Sequence, residues 1–384
     1  MQSNKEKSTS ELPFGNAPSL CSCGQVSTLG IHEHNTVYSN CQVLSINNKP
    51  ASLLNEENEI VQKFTPKKQN GQLLSDSYKR LGFDKKASRV ADCGTLLEFA
   101  HEMFSDGSFA SDGKLHKANF CRDRLCPMCA WRRSYKIYGQ ASQIMDAIGK
   151  QYEFLFLTLT VPSVQPTELS ETITRLTNSW HKLMMLRPVK KSVLGFFRAL
   201  EITRNNNPYS KSFGLYHPHF HCILAVSKSY FKQKYISQNE WLNMWRSSYG
   251  DESITQVDIR RAKDKHISDD ISASDTSASL GSAVAEIAKY AVKSSDYLFD
   301  DYSQTDDIVS CLSLALRGRR LTAFGGVFKD TLQALNLDDC EDGDLVHLDE
   351  KLNSALTWLI VRYGWSAGCY KMLDTYIEGV NAHV

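Results

Sequence analysis

LYHPHFHCILAV, Leu215 to Val226, decides the reading of this chain. Successive side chains on a β-strand point to opposite faces, so His217, His219 and His221 share one face while Tyr216, Phe220, Cys222 and Leu224 share the other. Two imidazoles two residues apart on a strand can aim their nitrogens at one ion, and imidazole suits Zn, Mn and other borderline metals. Pro218 argues for an edge or a bulge at that point of the strand.

Working outward, FFRALEIT (Phe196 to Thr203) is a second β-favouring run, and the residues from Asn205 to Gly214 form the turn of a hairpin. With the turn centred near Ser210, Glu201 falls opposite His219, about 5 Å away between Cβ atoms. A His–His–Glu metal site follows, with Glu201 as the third ligand. FLFLTLT (Phe154 to Thr160) reads as another strand, with Phe154, Phe156, Thr158 and Thr160 on one face and three leucines on the other. Helical patterns fit Pro166 to Leu186 and Val284 to Tyr297. In the second, Val284, Ile287, Ala288 and Ala291 form an apolar stripe, and Glu286, Tyr290, Lys293 and Tyr297 lie opposite. A phenol can act as a covalent nucleophile toward phosphorus and a neighbouring carboxylate as a general base, with Lys289 or Lys293 supplying charge. Taken alone, a solvated polar face accounts for that stripe.

The 384 residues carry a net charge of only +1, so global charge does not advertise nucleic acid. Local charge does: from Lys114 to Lys136 there are seven Lys or Arg and one acid, Asp123. Within it NFCRDRLCPMC places Cys121, Cys126 and Cys129 at C-x4-C-x2-C spacing, and Cys93 is the best fourth thiolate, ahead of His116 and His101. Four thiolates close a structural zinc site and leave no catalytic position open. Arg122, Arg124, Arg132 and Arg133 would then sit on a metal-braced platform for phosphate.

Residues 1–85 are rich in Ser, Asn, Lys and Gln and read as low-complexity and disordered; Cys21, Cys23, His32, His34 and Cys41 there have irregular spacing. Residues 86–140 read as a small zinc-binding module, 141–335 as the catalytic domain and 345–384 as a C-terminal helical segment. An acidic linker runs from Asp338 to Asp344, and a Ser/Asp-rich insertion, Asp264 to Ser282, reads as a mobile surface loop. No apolar run reaches the ~20 residues of a membrane span, and the N-terminus has no apolar signal core, which places the chain in the cytoplasm.

These pieces, in this order, resemble the rolling-circle plasmid replication initiators of the HUH endonuclease superfamily, in the branch with a single tyrosine. FLFLTLTVPSV resembles the first family motif, HPHFHCILAV the second, with His219-Phe220-His221 as the HUH triplet, and EIAKYAVKSSDY the third. NFCRDRLCPMCAWRRS and RGRRLTAFGGVFKD resemble the flanking blocks, so the likeness covers roughly Ala91 to Asp330. It implies an α+β fold, a central antiparallel sheet with packed helices of ferredoxin/RRM-like type. It also implies Tyr290 as nucleophile at plasmid origin DNA, a Mg²⁺ or Mn²⁺ held by His219 and His221, and Glu286 as the base that activates water at termination. A host helicase and polymerase would follow the nick. The competing readings are a transposase or relaxase of the same superfamily, disfavoured because Tyr290 follows the histidines, and a non-catalytic zinc-containing nucleic-acid-binding protein.

Overall fold

The computed structural model describes residues 51–263, 278–288, 291–348, 352–353 and 355–379. Helix α1 (Ala51–Arg80) and helix α2 (Asp84–Asp92) lead into strands β1 (Leu96–Glu102) and β2 (Lys114–Ala118). Helix α3 (Pro127–Ile148), strand β3 (Tyr152–Thr160), helices α4 (Leu169–Met185) and α5 (Arg187–Ser192), and strands β4 (Val193–Arg204) and β5 (Tyr216–Ser227) follow. Then come α6 (Tyr230–Gln233), α7 (Gln238–Tyr249), β6 (Val257–Lys263), β7 (Ala278–Ser279), α8 (Leu280–Ile287), α9 (Tyr302–Ala315), β8 (Thr322–Gly326), α10 (Val327–Ala334), β9 (Thr357–Ser366) and β10 (Cys369–Gly379).

The class is α+β. The larger sheet has the order β7-β6-β3-β5-β4-β8, antiparallel throughout except for the short β6–β7 pair. Period-2 alternation gives that sheet two apolar faces, and helices cover both. Leu155, Leu157 and Leu224 pack with Trp180 of α4, Trp241 of α7 and Leu312 of α9, whereas Phe156, Phe197 and Ile223 pack with Ile144 of α3, Ile287 of α8 and Phe328 of α10. The four-stranded sheet β10-β9-β1-β2 is joined to the first of these cores: Leu97, Val361 and the four clustered cysteines belong to the same apolar cluster as Leu155 and Leu224. Among the described residues no helix is long and apolar enough to cross a membrane.

Pro218 lies in an interior strand, not an edge. Its side chain costs no ladder bond, because pairing with β3 ends at Thr160↔His219 and proline's missing N–H falls just beyond it. The β4–β5 register sets Glu201 against His219 and Ile202 against Pro218, as the hairpin spacing predicts.

Four expectations are corrected. Residues 51–80 are helical, not low-complexity coil: Leu53, Ile60, Phe64, Leu74 and Tyr78 form one buried stripe that the polar majority obscures, and Pro66 is carried inside the helix. The C-terminal segment is a β-hairpin, not helical, in keeping with TWLIVRYGWS, which is dominated by aromatic and β-branched residues. The 284–297 helix stops at Ile287; Ala291 instead offers its carbonyl to the Ile202 N–H of β4 (2.8 Å), and Ser294–Asp296 is a separate 3-10 turn. The end of the Ser/Asp insertion, 278–282, forms β7 and the start of α8, while residues 264–277 lie outside the described residues, as do Cys21, Cys23, His32 and His34.

Candidate metal centres and catalytic site

Glu201 enters the first site from β4, and His219 and His221 from β5. Their shared face lies under α8, and all three side chains are buried. His219 Nε2 lies 3.1 Å from His221 Nε2, and Glu201 Oε2 lies 3.3 Å from the first and 2.9 Å from the second. The Nδ1 of His219 is 3.0 Å from the His217 carbonyl oxygen, an acceptor only, so Nδ1 carries the proton and Nε2 turns its lone pair into the cluster. His221 is held from behind by the Thr158 hydroxyl, 3.2 Å from Nδ1, and by Phe156, whose ring stacks on the imidazole at 5.6 Å. Burial by itself would raise the Glu201 carboxyl, but hydrogen bonding and charge from His219 and His221 outweigh it and hold the group well below the usual carboxylate range. Two imidazole nitrogens and a carboxylate oxygen converging within hydrogen-bond distance form a donor set that fits a borderline or hard divalent cation.

Glu286 of α8 reaches the same place. Its Oε1 is 3.8 Å from His221 Nε2, and its side chain remains 36% exposed, so it stands at the mouth of the buried cluster. Lys293 is exposed at the start of the 3-10 turn. Tyr290 and Lys289 lie outside the described residues; Ala291, next after Tyr290, is bonded to the strand that carries Glu201. Tyr297, which the helical pattern placed on the same stripe, is buried instead, and its hydroxyl donates to the Leu125 carbonyl. The chain leaves the helix before reaching it, and so the shared-stripe argument does not extend to Tyr297.

The second site is made where α2, the β2–α3 loop and the first turn of α3 meet. Cys93 Sγ is 3.5 Å from Cys129 Sγ and 3.6 Å from Cys126 Sγ, and Cys121 Sγ is 3.6 Å from Cys129 Sγ. Tetrahedral zinc with its sulfurs at about 2.3 Å separates those sulfurs by about 3.8 Å, so the donor set fits zinc. The backbone N–H of Arg122 points at Cys129 Sγ (3.1 Å), and this non-glycine residue holds a left-handed φ of +61°. The rival ligands are elsewhere: His101 bonds to Glu56 and the Ala110 carbonyl, and His116 sits beside Glu378.

The arginine platform differs from the expectation of an open phosphate surface. Arg124 pairs with buried Glu341 (2.9 Å), Arg132 donates to the Leu345 and Val346 carbonyls (2.9 and 2.8 Å), Arg122 donates to the Asp342 carbonyl (3.0 Å), and Arg133 is buried. The acidic Asp338–Asp344 stretch, read as a linker, is what Arg122 and Arg124 hold, with Arg132 on the two residues after it and Lys136 on Asp338 (2.8 Å). Buried charges take partners from the chain when nothing else neutralises them. The sequence reading also missed the Thr158 hydroxyl and the Glu56–His101–Tyr363 network, in which the Tyr363 hydroxyl donates to Glu56 (2.9 Å). Thr158 was legible as a residue on the histidine face, but its contact with His221 depends on β3–β5 register.

Residues 112–369 match the Rep_1 family model, described as "Replication protein". Among curated relatives, a "Protein rep" of Bacillus amyloliquefaciens is 39% identical over 299 residues, covering 74% of this chain and 85% of the relative. A "Protein rep" of Streptococcus pneumoniae is 36% identical over 284 residues, covering 72% and 81%. A "Replication protein" of Staphylococcus aureus is 32% identical over 241 residues, covering 60% and 96%. No solved structure matches the chain.

Proposed function

The chain belongs to the Rep_1 family of replication proteins, and on that premise we propose that it starts rolling-circle replication of a small plasmid by nicking one strand of the origin. The observation that carries this reading is the convergence of Glu201, His219 and His221 on one buried point, with Glu286 at its mouth and the strand-bound Ala291 directly following Tyr290 in the chain. The placement of the histidines on a central strand of an antiparallel sheet supports reading the larger sheet as an HUH nicking domain of ferredoxin/RRM-like type.

Tyr290 is the nucleophile. Its phenolic oxygen forms a bond to the scissile phosphorus as the phosphorus–O3′ bond breaks, leaving a 5′-phosphotyrosine link and, once the leaving oxygen is protonated, a free 3′-OH for a polymerase. Mg²⁺ or Mn²⁺ held by Glu201, His219 and His221 would polarise the phosphate. Lys289 and Lys293 flank the tyrosine in sequence and offset phosphate charge. Glu286 acts later, taking a proton from the water that replaces tyrosine in the second cleavage. The four cysteines would hold zinc as a structural brace; Arg122, Arg124, Arg132 and Arg133, engaged by the 338–346 stretch or buried, would serve that brace rather than contact DNA directly. A host helicase and polymerase complete the pathway, in the cytoplasm.

The test is a nicking assay on supercoiled origin plasmid with Mn²⁺, followed by peptide mapping of the DNA-linked residue. Tyr290→Phe should lose both the nick and the adduct. Glu286→Ala should nick and join but terminate poorly, leaving over-long products. An adduct on any other tyrosine, or a Glu286→Ala protein unable to nick, breaks the assignment. Binding without cleavage by the unaltered protein would instead support a zinc-containing DNA-binding protein.

A further inference from the structure

Helix α3 buries Ile137, Ala141 and Ile144 against the larger sheet, and its opposite face carries an aromatic row besides charged residues. Trp131, Tyr135 and Tyr138 lie there at i, i+4 and i+7, with Tyr135 58% and Tyr138 43% exposed. They line a groove of about 430 Å³ closed by α1, by β1 and β2, and by residues 346–348. Among the described residues no carboxylate lines it, whereas Lys63, Lys114 and Arg132 do. Lys63 is engaged by exposed Glu59, and Lys114 is exposed at the rim.

The rings are held in position from below. Phe64 meets Trp131 edge-on at 4.9 Å, Trp131 meets Tyr135 edge-on at 5.4 Å, and the Lys67 ammonium stands 4.4 Å from the Trp131 ring centroid. Gly139 lies within the helix beside this row, where a Cβ would meet nothing within 4 Å, leaving open space next to Tyr135. A mid-helix glycine costs helix stability, and one at a lined groove permits close approach of a ligand to the backbone. The three rings span about 10 Å along the helix axis, the rise of about three stacked nucleotides.

We propose that this groove binds single-stranded DNA, stacking about three unpaired bases on Trp131, Tyr135 and Tyr138 while Lys114 at the rim faces the phosphates. Exposed aromatic rows beside basic side chains suit unpaired bases because a base offers its face only outside the duplex. The site is separate from the Glu201, His219 and His221 cluster. Its biological meaning, holding the strand displaced or melted at the origin, rests on the nicking function proposed above; its binding chemistry does not.

The experiment uses the full chain and a fluorescein-labelled oligothymidylate of about 15 nucleotides, followed by anisotropy at fixed salt without added divalent metal. Tyr135→Ala should weaken binding about tenfold and the Tyr135→Ala, Tyr138→Ala double variant about a hundredfold, whereas Tyr135→Phe and Tyr138→Phe should bind as the unaltered protein does. Tyr235→Ala, which removes an exposed aromatic ring outside the groove, should leave binding unchanged. The binding readout contains no divalent metal and involves no cleavage, so that failure of the groove and failure of the nicking centre are read separately. The proposal is overturned if the double alanine variant binds like the unaltered protein. It is equally overturned if the phenylalanine variants lose as much as the alanines, or if duplex DNA of the same length binds as tightly and shows the same losses.

Discussion

Cys93, Cys121, Cys126 and Cys129 come from a helix end, a loop and the start of α3, whereas Glu201, His219 and His221 come from two adjacent strands. The first set is buried, receives backbone N–H groups of Arg122 and Asp123 on its sulfurs, and ties the end of α2 to the loop before α3 and to the first turn of α3. The second sits on a sheet already made by β3, β4 and β5, has three protein donors, and opens toward a partly exposed carboxylate. Four thiolates complete a tetrahedron and leave nothing for substrate, whereas three donors leave room for it. The contrast teaches that removing the first set should cost the fold and removing the second should cost the chemistry.

The largest effect expected is therefore at the cysteines. Cys126→Ser should drop bound zinc from about one per chain toward none. Structural zinc contributes on the order of 10 kcal/mol, comparable with the whole stability of a domain, so cooperative thermal unfolding should be lost with it. A variant that melts cooperatively at the unaltered temperature without zinc would erase the contrast between the two sites.

Next come the histidines. His219→Ala or His221→Ala should lower Mn²⁺-dependent nicking by about a thousandfold or more, the loss expected when several kcal/mol of charge stabilisation disappear. The melting temperature should shift by no more than about 4 °C, because the sheet beneath is complete without the ion. Full nicking by either variant sinks the metal assignment, and a collapse in melting temperature shows that this site too is structural.

The smallest effect sharpens the comparison. Thr158→Val keeps shape but deletes the hydroxyl 3.2 Å from His221 Nδ1. Outer partners of ligating histidines are worth about 10–100-fold in metal affinity, so the Mn²⁺ concentration for half-maximal nicking should rise by that factor and the saturated rate should recover. A rate that stays low at saturating Mn²⁺ means that Thr158 acts other than through His221.

Where sequence reading succeeded, a short-range rule was sufficient. Period-2 alternation places His219 and His221 on one face whatever surrounds them, and the turn's length then brings Glu201 opposite, so this site was legible in two strands and a loop. The C-x4-C-x2-C spacing is likewise local, and Cys93 was preferred to His101 and His116 for its place in the Asp92-Cys93-Gly94 turn. The mistakes came where partners lie far along the chain. α1 is polar over most of its length and becomes a helix because Phe64 and Tyr78 find the core near Phe99 and Val90. The arginines around the start of α3 read as free for phosphate until Glu341, more than two hundred residues on, folds back beneath Arg124. The apolar rhythm after Val284 continues past Ile287, but the backbone at Ala291 takes a strand partner instead.

The order of the motifs, the faces of β3, β4 and β5, and the two sets of ligand types were thus determined by the sequence itself, since each depends on backbone periods of two or on spacings within one turn. The end of α8, the β-hairpin at the C-terminus, the docking of the acidic stretch and the aromatic groove on α3 were decided only by tertiary structure. There, competing partners are chosen by burial and by the need to neutralise buried charge, and neither is a property of any local window of residues.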